Sequence, residues 1–175
     1  MYLIKKSPDV YFAPGPIASI GHAEIDFLRT ELPGNMRGRV RINLHPDHSD
    51  FLHEMFIAIR ADSYIRPHKH PHKSEAFHII YGDVDVVVFD DAGSIQQIVP
   101  MSAGSNSKPF YYRMSKPLFH TLLIKSEILV VHEITNGPFS VDGTTFASFS
   151  PTEDASRHAI NSWQTELSDR VRQIT

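Results

Sequence analysis

The stretch Tyr64-Ile65-Arg66-Pro67-His68-Lys69-His70-Pro71-His72-Lys73-Ser74-Glu75 decides how the rest of this chain is read. In a β-strand, residues two apart share a face, and each residue advances the chain by about 3.3 Å. Read as one strand, Ser63–His70 places Tyr64, Arg66, His68 and His70 on a single face. Two imidazoles roughly 6–7 Å apart along a strand can converge on one ion, about 2.0–2.1 Å from each nitrogen. Pro71 bends the chain beyond them, so Glu75 can return toward the same point from the next strand. His120 heads the apolar run Phe119–Ile124 and is the candidate fourth ligand, because a barrel would bring that run opposite the first histidines. Three imidazoles and one carboxylate suit a divalent ion such as Fe, Mn, Ni, Co or Zn.

Outward from this stretch the pattern is that of a mainly β domain. Short β-like runs follow one another at Arg39–Leu44, Met55–Arg60, Ala76–Tyr81, Val84–Phe89, Ser94–Val99, Phe110–Met114, Phe119–Ile124 and Ile128–Thr135. Turn residues separate them, among them Gly82-Asp83, Asp90-Asp91-Ala92-Gly93 and Asn136-Gly137-Pro138, with a loop at Ser102–Lys108. Such spacing predicts a sandwich or small barrel. No long helical pattern lies between the strands, which excludes a parallel βαβ sheet. Helical patterns stand only at the two ends. Pro16 suits the first position of a helix over 16–31, ahead of Pro33-Gly34. Ile160, Trp163, Leu167, Val171 and Ile174 recur at helical spacing after Pro151. The expected organisation is an arm and helix over 1–36, a barrel over 37–151, and a helix within 152–175.

Composition bounds the function. At 175 residues the chain has the length of one domain. Eleven histidines and no cysteine exclude disulfides, thiolate metal sites and a thiol nucleophile, and leave nitrogen and oxygen donors. A net charge of −3 lacks the basic excess of a nucleic-acid protein. No apolar run approaches the roughly 20 residues that a membrane helix needs, and residues 1–30 lack a signal-peptide core. The expectation is therefore a cytoplasmic protein with no nucleic-acid or membrane partner.

The remaining residues of the stretch are candidate substrate contacts. Arg66 shares the ligands' face and suits bidentate grip on a phosphate or carboxylate, as an alternative to a structural ion pair. Tyr64 offers a hydroxyl for proton transfer or orientation, or else simply lines the barrel. Lys73 and His72 stand at the expected rim, as phosphate-contacting and rim candidates or as solvated loop residues. His78 has the opposite strand parity to Glu75 and is expected to face away. Arg41, Asn43 and His45 are candidates for a second polar group near the pocket, which sequence alone does not place, while His48 and His53 lie with His45 near Asp47 and Asp50 in a polar link.

The spacing His68-x-His70, Glu75, Gly82 resembles the first motif of the cupin proteins from its first histidine onward, with Asp62 where that motif begins on glycine. The second motif is matched by His120 and Gly104 but not between them, where Ser115 and Pro117 replace the usual proline and glycine. More narrowly, the chain resembles the WbuC-type cupin metalloproteins of polysaccharide (O-antigen) biosynthesis clusters. The matching pieces run in order over roughly 37–151: Arg41-x-Asn43-Leu44-His45, Tyr64 to His70 with Lys73 and Glu75, Phe89-Asp90-Asp91-x-Gly93, Phe119-His120-Thr121, Gly137-Pro138-Phe139 and Phe146-Ala147. The resemblance implies a single double-stranded β-helix (jelly-roll) barrel with terminal helices, a bound divalent metal and, as such barrels often pair, a homodimer. The function expected is a metal-binding protein acting on a sugar or sugar-derived small molecule, isomerase- or epimerase-like. The alternatives are a non-heme iron dioxygenase, a non-catalytic metal- or sugar-binding module, and a metal-free nucleotide-sugar isomerase.

Overall fold

The computed structural model describes residues 2–175; Met1, first residue of the expected arm, lies outside the described residues. Eight strands form the barrel: β4 (Leu52–Arg60), β5 (His68–Lys69), β6 (Glu75–Tyr81), β7 (Asp83–Phe89), β8 (Ile95–Ser102), β9 (Tyr111–Met114), β10 (Phe119–Ile124) and β11 (Ile128–Asn136). Their pairing is simple to state. β4 pairs with β11, β5 with β10, β6 with β9 and β7 with β8, every pair antiparallel. That is one long hairpin with its tip at Asp90–Ser94, wound so that β11 also lies against β6 and β10 against β7. The result is two facing sheets, the double-stranded β-helix.

Four flanking strands extend the sheets. β1 (Ile4–Ser7) and β2 (Val10–Phe12) form a hairpin, β2 runs parallel to β3 (Arg39–Asn43), and β3 joins β4. This makes one sheet seven strands wide. β12 (Thr145–Phe146) adds itself to β5 at the edge of the other.

Each sheet is covered on both faces, which explains the apolar runs. Ile57, Ile59, Val84, Val86, Leu122, Leu129 and Val131 fill the barrel. Their neighbours Ala58 and Val130 point outward beneath α1 (His22–Glu31), against Leu28 and Leu32. Val87, Phe89 and Leu123 point outward on the other sheet, beneath Leu167 and Val171 of α2 (Arg157–Ile174). A strand buried on both faces is continuously apolar rather than alternating. Each fully buried Leu or Val contributes about 1.5–3 kcal/mol, so both helices are fastened to their own barrel. No helix among the described residues is long and apolar enough to cross a membrane.

Several expectations are corrected. The N-terminal helix starts at His22 rather than Pro16, because the Gly21 N–H donates to Glu24 Oε2 at 2.9 Å and so caps the first turn there. The strand expected over Ser63–His70 shrinks to His68–Lys69, since residues 63–67 have no strand partner and Pro67 has no N–H to give one. β8 runs on to Ser102 through Pro100, which an edge strand tolerates. Gly82 sits at φ +88° between β6 and β7, where an added Cβ would lie 2.5 Å from the Ile128 carbonyl oxygen. Only glycine fits that approach.

Candidate metal centre

His68 on β5 stands directly across the ladder from His120 on β10. His70 follows just beyond β5, and Glu75 opens β6 after the bend at Pro71. One donor atom from each of these four side chains lies within 4.8 Å of the others, and Glu75 and His120 are buried. Among the described residues this is the one such group. The sheet geometry therefore brings together the four residues that strand parity and the turn at Pro71 pointed to.

The hydrogen bonds prepare the imidazoles for a cation. His68 Nδ1 faces the Arg66 carbonyl at 2.8 Å, His70 Nδ1 that of Gly143 at 3.1 Å, and His120 Nδ1 that of Leu118 at 3.0 Å. A carbonyl oxygen only accepts, so each Nδ1 carries the proton and each Nε2 keeps its lone pair. A ligating histidine is held in the same way, its other nitrogen donating to a carbonyl or carboxylate. His70 Nε2 lies 3.3 Å from Glu75 Oε2, and His120 Nε2 lies 3.2 Å from Glu75 Oε1. The Tyr112 hydroxyl on β9 donates to the same Oε1 at 2.9 Å. Donor type, donor count and orientation all fit a divalent transition ion.

Without an ion the four groups perturb one another. Burial, reinforced by the His120 charge, pulls His68 down to about 4. Burial also works against charge on His70 and His120, but the hydrogen bond and charge of Glu75 outweigh it and raise both. Burial likewise opposes the charge on Glu75, yet His120, His70 and His68 hold its carboxyl well below the usual carboxylate range. Burial and the Glu75 charge push the Tyr112 phenol well above its ordinary value.

The cluster opens into a cavity of about 460 Å³ between the sheets. Its lining includes Arg66, whose guanidinium lies 5.0 Å from the Phe146 ring centre and donates to the Ala147 carbonyl at 2.9 Å. Tyr64 is elsewhere: its hydroxyl donates to the Pro151 carbonyl at 2.8 Å and its ring meets Trp163 of α2 edge-on. The parity argument fails there because residues 63–67 are outside the ladder, and Ile65 and Arg66 both reach the cavity wall. His72 is exposed, and Lys73 donates to the Pro138 carbonyl at 3.1 Å; neither lines the cavity. His78 lies opposite His132 in the ladder, against Phe110 and Tyr111, away from the cluster.

Two residues of the site, Tyr112 beside Glu75 and Glu133 in the cavity wall, escaped the sequence reading, and a third, Arg41, was expected in a polar group with Asn43 and His45 that sequence alone does not place. Tyr112 reaches the site only through the register of β9 with β6, which composition does not reveal. Glu133 lines the cavity from β11, and its signal was available: a lone acid within an apolar run. Burial and the neighbouring Glu75 charge lift its carboxyl to about 7. Arg41 enters from β3, a strand outside the eight of the barrel. Beside the site, His45 and His53 are buried and stacked with ring centres 4.0 Å apart and planes 3° apart.

A family model described as a domain of unknown function (DUF6016) matches residues 20–101, a span that includes His68, His70 and Glu75 but not His120. No curated protein matches the chain in sequence. Among solved structures, a protein from Shewanella oneidensis superposes with a TM-score of 0.56 at 11% identity, over 76% of this chain and 86% of its own. An oxalate oxidase in complex with the substrate analogue glycolate gives 0.49 at 12% identity, over 75% and 73%. An uncharacterized conserved protein with a double-stranded β-helix domain from Klebsiella pneumoniae gives 0.47 at 13%, over 62% and 79%. At such identities the likeness concerns the fold alone.

Proposed function

We propose that this protein binds a divalent transition metal through His68, His70, Glu75 and His120 and acts on a small oxygenated molecule admitted by the adjoining cavity. One observation carries the reading: four donor atoms lie within 4.8 Å of one another, with every imidazole Nδ1 already committed to a backbone carbonyl. Four protein ligands leave room for a substrate, and a metal there supplies Lewis-acid polarisation of a bound oxygen. The chain's own residues do the rest. Tyr112 holds the Glu75 carboxylate in place. Glu133 is a buried carboxyl in the cavity wall that can hold or release a proton near neutral pH. Arg66 offers its guanidinium to an acidic or phosphorylated substrate.

The finer reading is a sugar-derived substrate and isomerase- or epimerase-like proton relocation in surface-polysaccharide biosynthesis. It rests on the WbuC-type resemblance together with the pairing of an open site and a titratable carboxyl. A homodimer and a cytoplasmic location belong to the same reading. The test is elemental analysis of protein purified without chelators, beside the His120→Ala variant. One equivalent of metal in the parent and its loss in the variant are expected. A folded parent that takes up no transition metal overturns the reading. Oxygen consumption by iron-loaded protein would favour a dioxygenase over an isomerase.

A further inference from the structure

Four arginines line the cavity beside the metal cluster: Arg37, Arg39, Arg41 and Arg66. Two have acidic partners. Arg37 Nη1 lies 3.3 Å from Asp9 Oδ2, and Arg39 Nη2 lies 3.3 Å from Glu153 Oε1. Arg41 and Arg66 have none: no carboxylate of the described residues stands within 4.0 Å of either guanidinium. In both, Nε is buried and without a hydrogen-bond partner. Two guanidinium groups with desolvated, unsatisfied donors on the wall of one cavity are costly unless an anion satisfies them. Glu133, the remaining acid of that wall, forms no ion pair within 4.0 Å.

The two arginines belong to opposite walls. Arg41 rises from the inner face of β3, in register with Ile57 of β4, which itself faces Val131 of β11. Arg66 stands on the segment leading into β5, in the facing sheet. Glu75 is on β6, beyond β11, so Arg41 is three strands away from the ligand strand, about 14 Å across the sheet at 4.8 Å per strand. A ligand that reaches both regions has two polar ends.

We propose that Arg41 and Arg66 form an anion subsite, so that the cavity takes a two-headed ligand: one end a metal-chelating hydroxy acid or similar oxygen pair, the other a carboxylate or phosphate clamped between the two guanidinium groups. This rests on the metal-site reading above for its first half only. Guanidinium forks match the paired oxygens of either anion. Asp9 and Glu153 neutralise Arg37 and Arg39, which leaves Arg41 and Arg66 as the cavity's arginines without a carboxylate partner.

The test is calorimetric titration of the metal-loaded protein with glycolate, malate and 3-phosphoglycerate. All three carry a chelating hydroxy acid; malate adds a carboxylate and 3-phosphoglycerate a phosphate. At least one two-headed probe should bind tenfold or more tightly than glycolate, as a lost charge-assisted hydrogen bond implies. Which probe gains identifies the anion. Arg41→Gln should erase that gain while glycolate affinity and metal content stay unchanged, and Arg66→Gln should weaken binding of the two-headed probe at unchanged metal content. Arg41→Lys, which keeps the charge without the fork, should recover part of it and guards against a merely unfolded Gln variant. Equal affinity for all three probes, or a gain that survives Arg41→Gln in metal-loaded protein, overturns the proposal. The chelator-stripped protein titrated with inorganic phosphate separates the two readings. Arg41-dependent phosphate binding there sustains the subsite even if the metal reading fails, and no phosphate binding in either metal state together with no gain for malate removes it.

Discussion

Tyr112 and Glu75 meet at 2.9 Å across the β6–β9 ladder, the phenol donating to the carboxylate oxygen that also faces His120. The hydroxyl orients the single carboxylate of the cluster and fixes which oxygen is turned to the imidazoles. Tyr112→Phe removes only that donor. Loss of such a supporting hydrogen bond lowers metal affinity by about 10–100-fold. Competition with a chelator of known affinity checks it, and the unchanged circular dichroism of the variant should show that the fold persists.

Metal and protons compete for the same Nε2 atoms. His70 and His120 are raised above 6.5 by Glu75, so protonation of the metal-free site begins above that pH. His68, at about 4, competes only in acid. Apparent metal affinity should therefore fall as pH drops from 8 to 6, with up to two protons released per ion bound. Titrations in buffers of different ionisation enthalpy count those protons; a pH-independent affinity would contradict the assignment of these two ligands.

The stacked pair His45 and His53 should make the metal-free protein acid-sensitive. Burial, with the charge of His53 beside it, holds His45 at about 4 against an ordinary 6.5. Between those values the unfolded chain binds more protons than the folded one, so stability rises with pH across that window and is lost as pH falls through it. His45→Gln removes this group's share of the slope. Urea midpoints at pH 7 and pH 5 should differ less in the variant than in the parent.

Gly82→Ala tests the turn that launches β7. The left-handed backbone alone costs a non-glycine residue about 1–2 kcal/mol, and the Cβ adds a collision with the Ile128 carbonyl. A chemical-denaturation midpoint within error of the parent would show that the turn relaxes freely.

The parts of the site that could be read in advance are those set by local geometry. His68 and His70 both reach the cluster as their two-residue spacing suggested, although His70 lies just beyond β5, and Glu75 follows a proline bend. His120 could be chosen because it heads a strongly apolar strand, and the ladder pairs it with His68. What could not be read depends on register between distant strands. Tyr112 faces Glu75 only because β9 pairs with β6, and Arg41 faces the cavity only because β3 pairs with β4 in the register that sets it opposite Ile57. Tyr64 shows the limit of parity itself. The alternation holds only where a ladder enforces the pleat, and residues 63–67 have no such partner. The terminal helices were visible in the apolar spacing, yet the start of α1 was set by Glu24 reaching back to Gly21.

The wound hairpin has a further consequence. His68, His70 and Glu75 belong to its outgoing arm and His120 to its returning arm, so an ion held by all four ties the two arms together across some fifty residues of chain. Cross-linking a loop of that length restricts the unfolded ensemble by about 4 kcal/mol in the chain-entropy account. In a chain without cysteine, the metal would then serve as the staple that a disulfide provides elsewhere, one that can be withdrawn and replaced without breaking a covalent bond.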